Sequence, residues 1–556
     1  MVGFFSFQFT GLIALAAMQA DVGPWRAGEP LRELEAPQRA RFEFGRVQYA
    51  REFDASEGLG PTTNNTSCGA CHFKPVGGWG EQRVTRYGFM SEDGQFSPVD
   101  PGGDTLWQHV GVTGVDDCRE VIPNESNHFS LRVTTGATGY GLIEAIPDQA
   151  LLAVRDLQPP DIRGIERWVD SIDSAPGDPA RIGRFGWKAQ EATVLAFSAD
   201  AASAEMGVTT WLVQQEPAPN GDMELLDACD DVPDPETGVE VEGFDYLGAV
   251  TDFQRFMAPP PRIPASGMAG EAIMDTIGCT ACHVPTLMTG SQLKLEDALR
   301  NKPVHAYSDF LLHDMGEAGD GIQDGPVEET WMRTSPLWGL AIQPTSWHDG
   351  RCAQLNSADR IRCAISEHAA AGSQAVNSAT AFASLPQQEQ DLLIEFLLSL
   401  GRRPFDADRD GVVLRSDLQG ESSGFLSCFG SSPGPDDPCT VHDHDGDGQV
   451  DEGDLDMLPA AWDDIETDCN ANGQWDVRDL VLGVSQDLDG NGIPDECTTC
   501  LGDLDFDGDV DVNDILGLIS EGWGCQGSCA GDLDGSGLVD STDVLLMIAL
   551  WGPCSG

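Results

Sequence analysis

Positive charge is scarce: 31 Lys and Arg stand against 92 Asp and Glu in 556 residues, a formal net charge of −61. A chain this acidic repels polyanions, which excludes nucleic acid as a partner. Long apolar runs are scarce too. After the first twenty residues, no stretch approaches the roughly 18 consecutive apolar residues that a membrane span requires. Those twenty, MVGFFSFQFTGLIALAAMQA, end in a small-x-small pattern before Asp21. They predict a secretory signal peptide over 1–20, although its leading segment has no Lys or Arg. The expected location is therefore outside the cytosol, periplasmic or at the cell surface. Alternating apolar–polar runs are also few, which leaves little room for extensive sheet and predicts a mainly helical chain with long loops.

Cysteine, by contrast, is plentiful, with sixteen residues that an oxidising compartment should commit to bonds. Four fall in a pattern that occurs twice: Cys68-Gly-Ala-Cys71-His72 and Cys279-Thr-Ala-Cys282-His283. A redox dithiol uses the two cysteines and has no need of the histidine. Structural zinc wants two such pairs close together, or one pair plus distant ligands. A covalently attached haem uses all five positions, two thioethers to the porphyrin and the adjacent imidazole to iron. Two copies in an exported chain point to two c-type haems, held by Cys68 and Cys71 with His72, and by Cys279 and Cys282 with His283. The other twelve cysteines are even in number and compatible with disulfides. Cys352 and Cys363 are close enough in sequence to close one loop.

The motifs lie 211 positions apart, as in a duplicated domain. The expected organisation is a first cytochrome c domain over 21–245 and a second over 246–401. Between the motifs, residues 214–243 read as a loop from their Pro, Asp and Gly content. A helix is expected to run into the second motif from GEAIMDTIG. Another is expected over SLPQQEQDLLIEFLLSLG, with Ser384 and Gln387 as a capping box and Gly401 as its stop. Six further histidines precede 401 (109, 128, 305, 313, 348 and 368), and Met90 and Met315 are also available as axial ligands.

Several segments occur in the order seen in a known family: GPTTNNTSCGACHFKPVGGWG, GYGLIEAIPDQAL, IGCTACHVPTL, YSDFLLHDMGEAGDG, RTSPLWGL and WHDGRCAQLNSADRIRCAISEH. Over about 45–400 the chain resembles the dihaem oxidoreductases, similar to bacterial dihaem cytochrome c peroxidases. The resemblance implies one relay haem and one reactive haem. It places His368 as sixth ligand of the second haem, with Met315 as its rival, and Glu144 as a distal acid–base group at the first. His348, Asp349 and Arg351 are expected to brace a haem pocket, and His109 or His128 to be the first haem's alternative ligands. An electron donor or acceptor protein is the implied partner. The alternative is a dihaem electron carrier without catalysis.

From 401 onward the texture changes. Asp and Glu number 35 against 5 Lys and Arg, a net of −30 in 156 residues, leaving −31 for the first 400. Calcium loops set oxygen ligands at positions 1, 3, 5, 9 and 12, with glycine at 6. That spacing fits Asp443, Asp445, Asp447, Asp451 and Asp454. It recurs as Asp468, Asn470, Asn472, Asp476 and Asp479, then as Asp503, Asp505, Asp507, Asp511 and Asp514, and finally as Asp532, Asp534, Ser536, Asp540 and Asp543. The expectation is an acidic calcium-loop region over 402–499 and a second module over 500–556. The last two loops repeat after 29 residues, each leading into an apolar run. This layout resembles a type I dockerin, which implies a cohesin-like or cell-surface partner, although Asp505 and Asp534 stand where dockerins commonly carry Asn.

Overall fold

The computed structural model describes residues 27–99, 105–112, 118–230, 232–237, 245–262 and 268–407. Of the acidic C-terminal stretch it describes 413, 415–418, 424–434, 437–444, 448–461, 472–486, 494, 502–504, 509–519, 533 and 538–553. The signal-peptide expectation over 1–20 lies outside these residues. So do Asp445, Asp447, Asp468, Asn470, Asp505, Asp507, Asp532, Asp534 and Ser536. The described residues fall into two compact units, one within 1–261 and 274–390, the other within 262–273 and 391–556.

The first unit is organised by three helices. Ala36–Tyr49 starts on a capping box between Glu35 and Gln38 with proline in its first turn. Val194–Met206 is capped by the Thr193 hydroxyl accepting from Ala196 N–H and ends at Gly207, whose φ of 68° is the left-handed conformation of a helix stop. Tyr246–Phe256 is capped by Asp245 and packs against both of the others. The first contact is close because Gly45 faces it: a Cβ there would fall 2.2 Å from the Ala249 carbonyl oxygen. Aromatic rings fill the seam, with centroid separations of 5.1 Å for Phe42–Phe253, 5.0 Å for Tyr49–Phe253 and 5.1 Å for Phe53–Tyr246. Each buried ring contributes about 1.5–3 kcal/mol from desolvation alone.

Helix accounts for 37% of the described residues and strand for 13%, in small sheets. The largest is three-stranded and antiparallel, ordered Phe96–Ser97, Arg83–Met90, His128–Val133, with Arg83 opposite Val133 and Gly88 opposite His128. The sequence reading did not anticipate it. His128–Val133 alternates polar and apolar residues, but Phe129 and Leu131 are exposed while Val133, on the same face, is buried, so the alternation does not mark one buried face.

Both Cys-x-x-Cys-His segments begin on short helical turns, and the expected helix does lead into the second. The first is Cys68–Cys71, capped by Ser67. The second follows the helix Ala269–Thr276 through Gly278 at φ 85° into a turn at Cys279–Ala281. The expected late helix forms as Gln387–Ser399, with Gly401 at φ 105° beyond it. Ser384, however, does not cap it. Its hydroxyl donates to the Thr380 carbonyl at 2.8 Å and closes the preceding helix, Val376–Ser384. A hydroxyl in a last helical turn finds the i−4 carbonyl nearer than the next helix's amides.

The second unit has two small apolar cores. Phe405, Val413, Leu418, Phe425, Val450 and Leu455 form one. Val510, Leu518, Val539 and Met547 form the other.

Candidate functional site

Ten described cysteines divide cleanly. Cys118–Cys229, Cys352–Cys363 and Cys428–Cys439 are disulfides, the second as the sequence spacing allowed. The four cysteines of the two Cys-x-x-Cys-His motifs are free thiols. Burial pushes the Cys71 and Cys279 thiols up to about 11 and raises Cys68. A redox dithiol needs the opposite, a thiol whose pKa is depressed into the working range. These sites are not built as redox dithiols.

The histidines are held alike. His72 Nδ1–H donates to the Gly78 carbonyl and His283 Nδ1–H to the Tyr307 carbonyl, each at 3.0 Å. Burial pushes both imidazoles down to about 4, so both are neutral at physiological pH. With Nδ1 protonated and bonded to backbone, the Nε2 lone pair is the one left for a metal. Thiols unpaired with each other and an adjacent neutral imidazole oriented through Nδ1 are what covalent haem attachment requires, and the residues at both sites fit that group.

What faces the two histidines differs. Opposite His283 stands His368, ring centroids 6.4 Å apart. Two metal–nitrogen bonds of about 2 Å and two ring half-widths of about 1 Å span roughly that distance. His368 follows the last turn of the helix Ser357–Glu367, where its Nδ1–H donates to Ala364 O at 2.8 Å, again leaving Nε2. Burial lowers its pKa as well. Trp347 packs edge-on against it at 4.9 Å, and Arg351 lies 5.7 Å over the Trp347 ring while pairing with Asp349 and Glu367. Met315, the rival ligand, is buried with Ala318 and Met332 against Trp187 and Trp347. Around His72, among the described residues, the ring in contact is Tyr49 at 5.9 Å. His109 is bonded to Asn64 at an exposed position, and His128 lines a cavity of about 610 Å³ together with His348, Asp349 and Arg351. Neither has a ring contact with His72.

Two residues that sequence reasoning passed over do much of the positioning. Tyr307, which supplies the carbonyl to His283, has φ 51°, and Trp347, which packs on His368, has φ 72°. Left-handed backbone at bulky residues costs about 1–3 kcal/mol each and persists only where the surroundings demand it. Nothing in the sequence marks such positions. Beside the second site a buried pair forms between His313 Nε2 and Asp309 Oδ2 at 2.9 Å, with His313 Nδ1 3.7 Å from Cys282 Sγ. Burial opposes the charge on His313, but the hydrogen bonds and charges of Asp309 and Cys282 together outweigh it and push the imidazole up to about 10.

Glu144 is occupied. Its Oε1 accepts from Val194 N–H at 2.8 Å and its Oε2 from Arg255 Nε at 2.8 Å, while Arg255 also grips Glu296 through both terminal nitrogens. A carboxylate tied to a helix N-terminus and a guanidinium is a brace, which is the role this geometry supports in place of proton transfer.

In the acidic stretch three loops share one geometry. The position-12 carboxylates Asp454, Asp514 and Asp543 are fully buried. Each accepts the backbone N–H of position 2 (His444, Leu504, Leu533) on one oxygen and that of position 9 (Asp451, Asp511, Asp540) on the other. The position-9 aspartates then cap the helices Glu452–Leu455, Val512–Gly517 and Ser541–Ala549. Gly448, sixth in its loop, has φ 90° and donates to Asp443. Asn472 Nδ2 bonds to Asp479, and Asp476 starts the helix Asp476–Leu482.

No curated protein matches the chain. A family model does, over residues 117–400, under the description "di-haem oxidoreductase, putative peroxidase". Its span covers just over half of the 556 residues, including the second Cys-x-x-Cys-His, the His283–His368 pair and the helices around them, with the first motif on its N-terminal side. By that match the chain belongs to the di-haem oxidoreductase family.

Proposed function

We propose that this di-haem oxidoreductase is an exported, peroxidase-like enzyme that passes electrons from a donor protein through two covalently held haems to a small oxidant. Cys68 and Cys71 hold the first haem and Cys279 and Cys282 the second, with His72 and His283 as proximal ligands. The observation that carries the reading is the asymmetry between the sites: His283 is faced by His368 at 6.4 Å, whereas Tyr49 is the ring against His72. When bound, haem supplies a one-electron iron couple, and an oxidant can be activated only where an axial position is open. His283 and His368 would close both positions at the second site, making it the relay. Among the described residues no second imidazole is in ring contact with His72, which would leave the first site the reactive one. Tyr307 and Trp347 hold the two imidazoles of the relay in register, and Glu144 fixes the helix Val194–Met206 to Arg255.

The acidic loops would bind calcium through Asp443, Asp451, Asp454, Asn472, Asp476, Asp479, Asp503, Asp511, Asp514, Asp540 and Asp543. Three loops folded alike around buried, anionic position-12 side chains support this reading. The terminal module also bears exposed apolar side chains at matching places 29 residues apart, Leu516 and Ile519 on one helical segment and Leu545 and Ile548 on the other. That double face supports a dockerin-like attachment to a cohesin-like or cell-surface protein. Electron paramagnetic resonance of the oxidised, haem-loaded protein tests the redox assignment. One low-spin and one high-spin iron is the expected spectrum. Two low-spin irons would make the chain an electron carrier.

A further inference from the structure

Four carboxylates gather in the first unit, none of them part of a Cys-x-x-Cys-His motif. Glu216, Asp230, Asp234 and Glu236 place one oxygen each within 4.8 Å of one another. Among the described residues, no Lys, Arg or His pairs with any of them. Glu216 is 3% exposed, and both its carboxylate oxygens are buried without a hydrogen-bond partner while aimed into the cluster. Glu236 Oε1 is buried without a partner as well. Buried carboxylate oxygens in a native fold are normally satisfied, and leaving one bare costs about 1–3 kcal/mol or more when it is charged.

We propose that Glu216, Asp230, Asp234 and Glu236 form a calcium site that staples the 216–236 segment to the body of the first unit. The donor set is all oxygen, without His or Cys, which selects a hard cation over zinc or copper. Four carboxylates supply up to eight oxygens, enough for the six to eight that calcium takes, whereas magnesium keeps several waters and accepts few protein carboxylates. Without a cation the group is costly: burial and then the charges of Asp230, Glu236 and Asp234 push Glu216 up to about 10.

The site is also built into its surroundings. Glu236 Oε2 accepts from Thr209 N–H at 2.6 Å and from the Thr209 hydroxyl at 2.5 Å, and Thr237 Oγ1 donates to Thr209 O at 2.9 Å. The Glu236 side chain lies against Gly58, where a Cβ would fall 2.0 Å from Glu236 Cγ. Cys229, next to Asp230, is tied to Cys118. Thr209 follows the helix Val194–Met206, whose Glu205 bonds Asn64 and whose end receives the Thr63 hydroxyl, four to five residues before Cys68. The staple therefore anchors the segment that enters the first Cys-x-x-Cys-His.

Limited proteolysis of the full-length, haem-loaded protein, with cleavage sites mapped by mass spectrometry, reads this segment separately from the acidic loops. Millimolar calcium is expected to slow cleavage between 216 and 245 by about tenfold or more relative to chelator, as ligand linkage requires. In Glu216→Gln/Asp234→Asn the protection should vanish, and equilibrium dialysis with radioactive calcium should find one fewer ion per chain than in the parent. Asp234→Asn alone, at an exposed position, should weaken the protection and serves if the double variant fails to fold. Equal cleavage of the parent protein with and without calcium would overturn the assignment and leave a proton shared between Glu216 and Glu236. So would protection by magnesium alone, or an unchanged ion count in a folded variant.

Discussion

Glu144→Gln separates a brace from a proton carrier. The substitution keeps an amide oxygen for Val194 N–H but removes the charge opposite Arg255, whose pKa is raised because Glu144 and Glu296 together outweigh its burial. Loss of one partner from a part-buried pair costs up to about 3–5 kcal/mol when the other charge is stranded. Arg255 is not stranded, since it retains two hydrogen bonds to Glu296 at 2.9 and 3.0 Å. The expected penalty is therefore about 1–2 kcal/mol, the worth of one charge-assisted hydrogen bond, and a fall in Tm of a few degrees. A general acid removed from a reacting centre would instead cost about 10²–10⁴ in rate. Thermal unfolding and hydrogen peroxide-dependent oxidation of the reduced protein should be followed on the same sample. Lower Tm with turnover within a few-fold of the parent is the predicted result. An unchanged Tm with turnover down a hundredfold would refute the argument.

Asp320→Asn should be more damaging, because Asp320 is buried between Arg132 Nε at 2.8 Å and Lys188 Nζ at 2.9 Å and its loss leaves Arg132 with Asp324 at 3.9 Å and Lys188 with the Glu328 and Glu329 carbonyls at 3.0 Å, at about 3 kcal/mol in a urea melt. Burial alone would raise the Asp320 pKa, but Arg132 and Lys188 depress it, so its contribution is present above the unfolded carboxylate value and lost as pH falls through the lower folded one. The parent's urea midpoint should accordingly drop in that acid window by more than the variant's. Replacing Cys352 and Cys363 by serine opens an 11-residue separation and should cost about 3 kcal/mol of unfolding free energy by the chain-entropy relation, read in the same melt under non-reducing conditions. Asp543→Ala removes the acceptor of both Leu533 and Asp540 N–H, and calcium-dependent gain of helical circular dichroism should fall relative to the parent.

The two Cys-x-x-Cys-His motifs were legible because each is five residues in a row, and no folding contingency can move them apart. The helix Gln387–Ser399 was legible from its stop at Gly401, although Ser384, its expected cap, closes the preceding helix instead. The sheet was not, since Arg83–Met90 and His128–Val133 pair across a long intervening segment and leave Phe129 and Leu131 exposed. His368 came from family resemblance alone; composition could not choose among six histidines, and what distinguishes it is a distance to His283. Tyr307 and Trp347 act through backbone conformation, which their side chains do not announce. The segment 214–243 reads as an ordinary polar loop, yet it contains the helix Met223–Cys229, and folding brings Glu216 to residues up to twenty positions away. The resemblance placed Glu144 as a distal acid–base group, and its contact with Arg255, 111 positions away in the chain, was not legible.

The most direct test is the low-temperature electron paramagnetic resonance spectrum of oxidised, haem-loaded His368→Ala beside that of the parent. The account predicts that the low-spin signal of the parent is replaced by a second high-spin signal, while the first haem's own signal is unaltered. An unchanged low-spin signal in the variant would contradict it, and would return Met315, buried against Trp347, to the place of the sixth ligand.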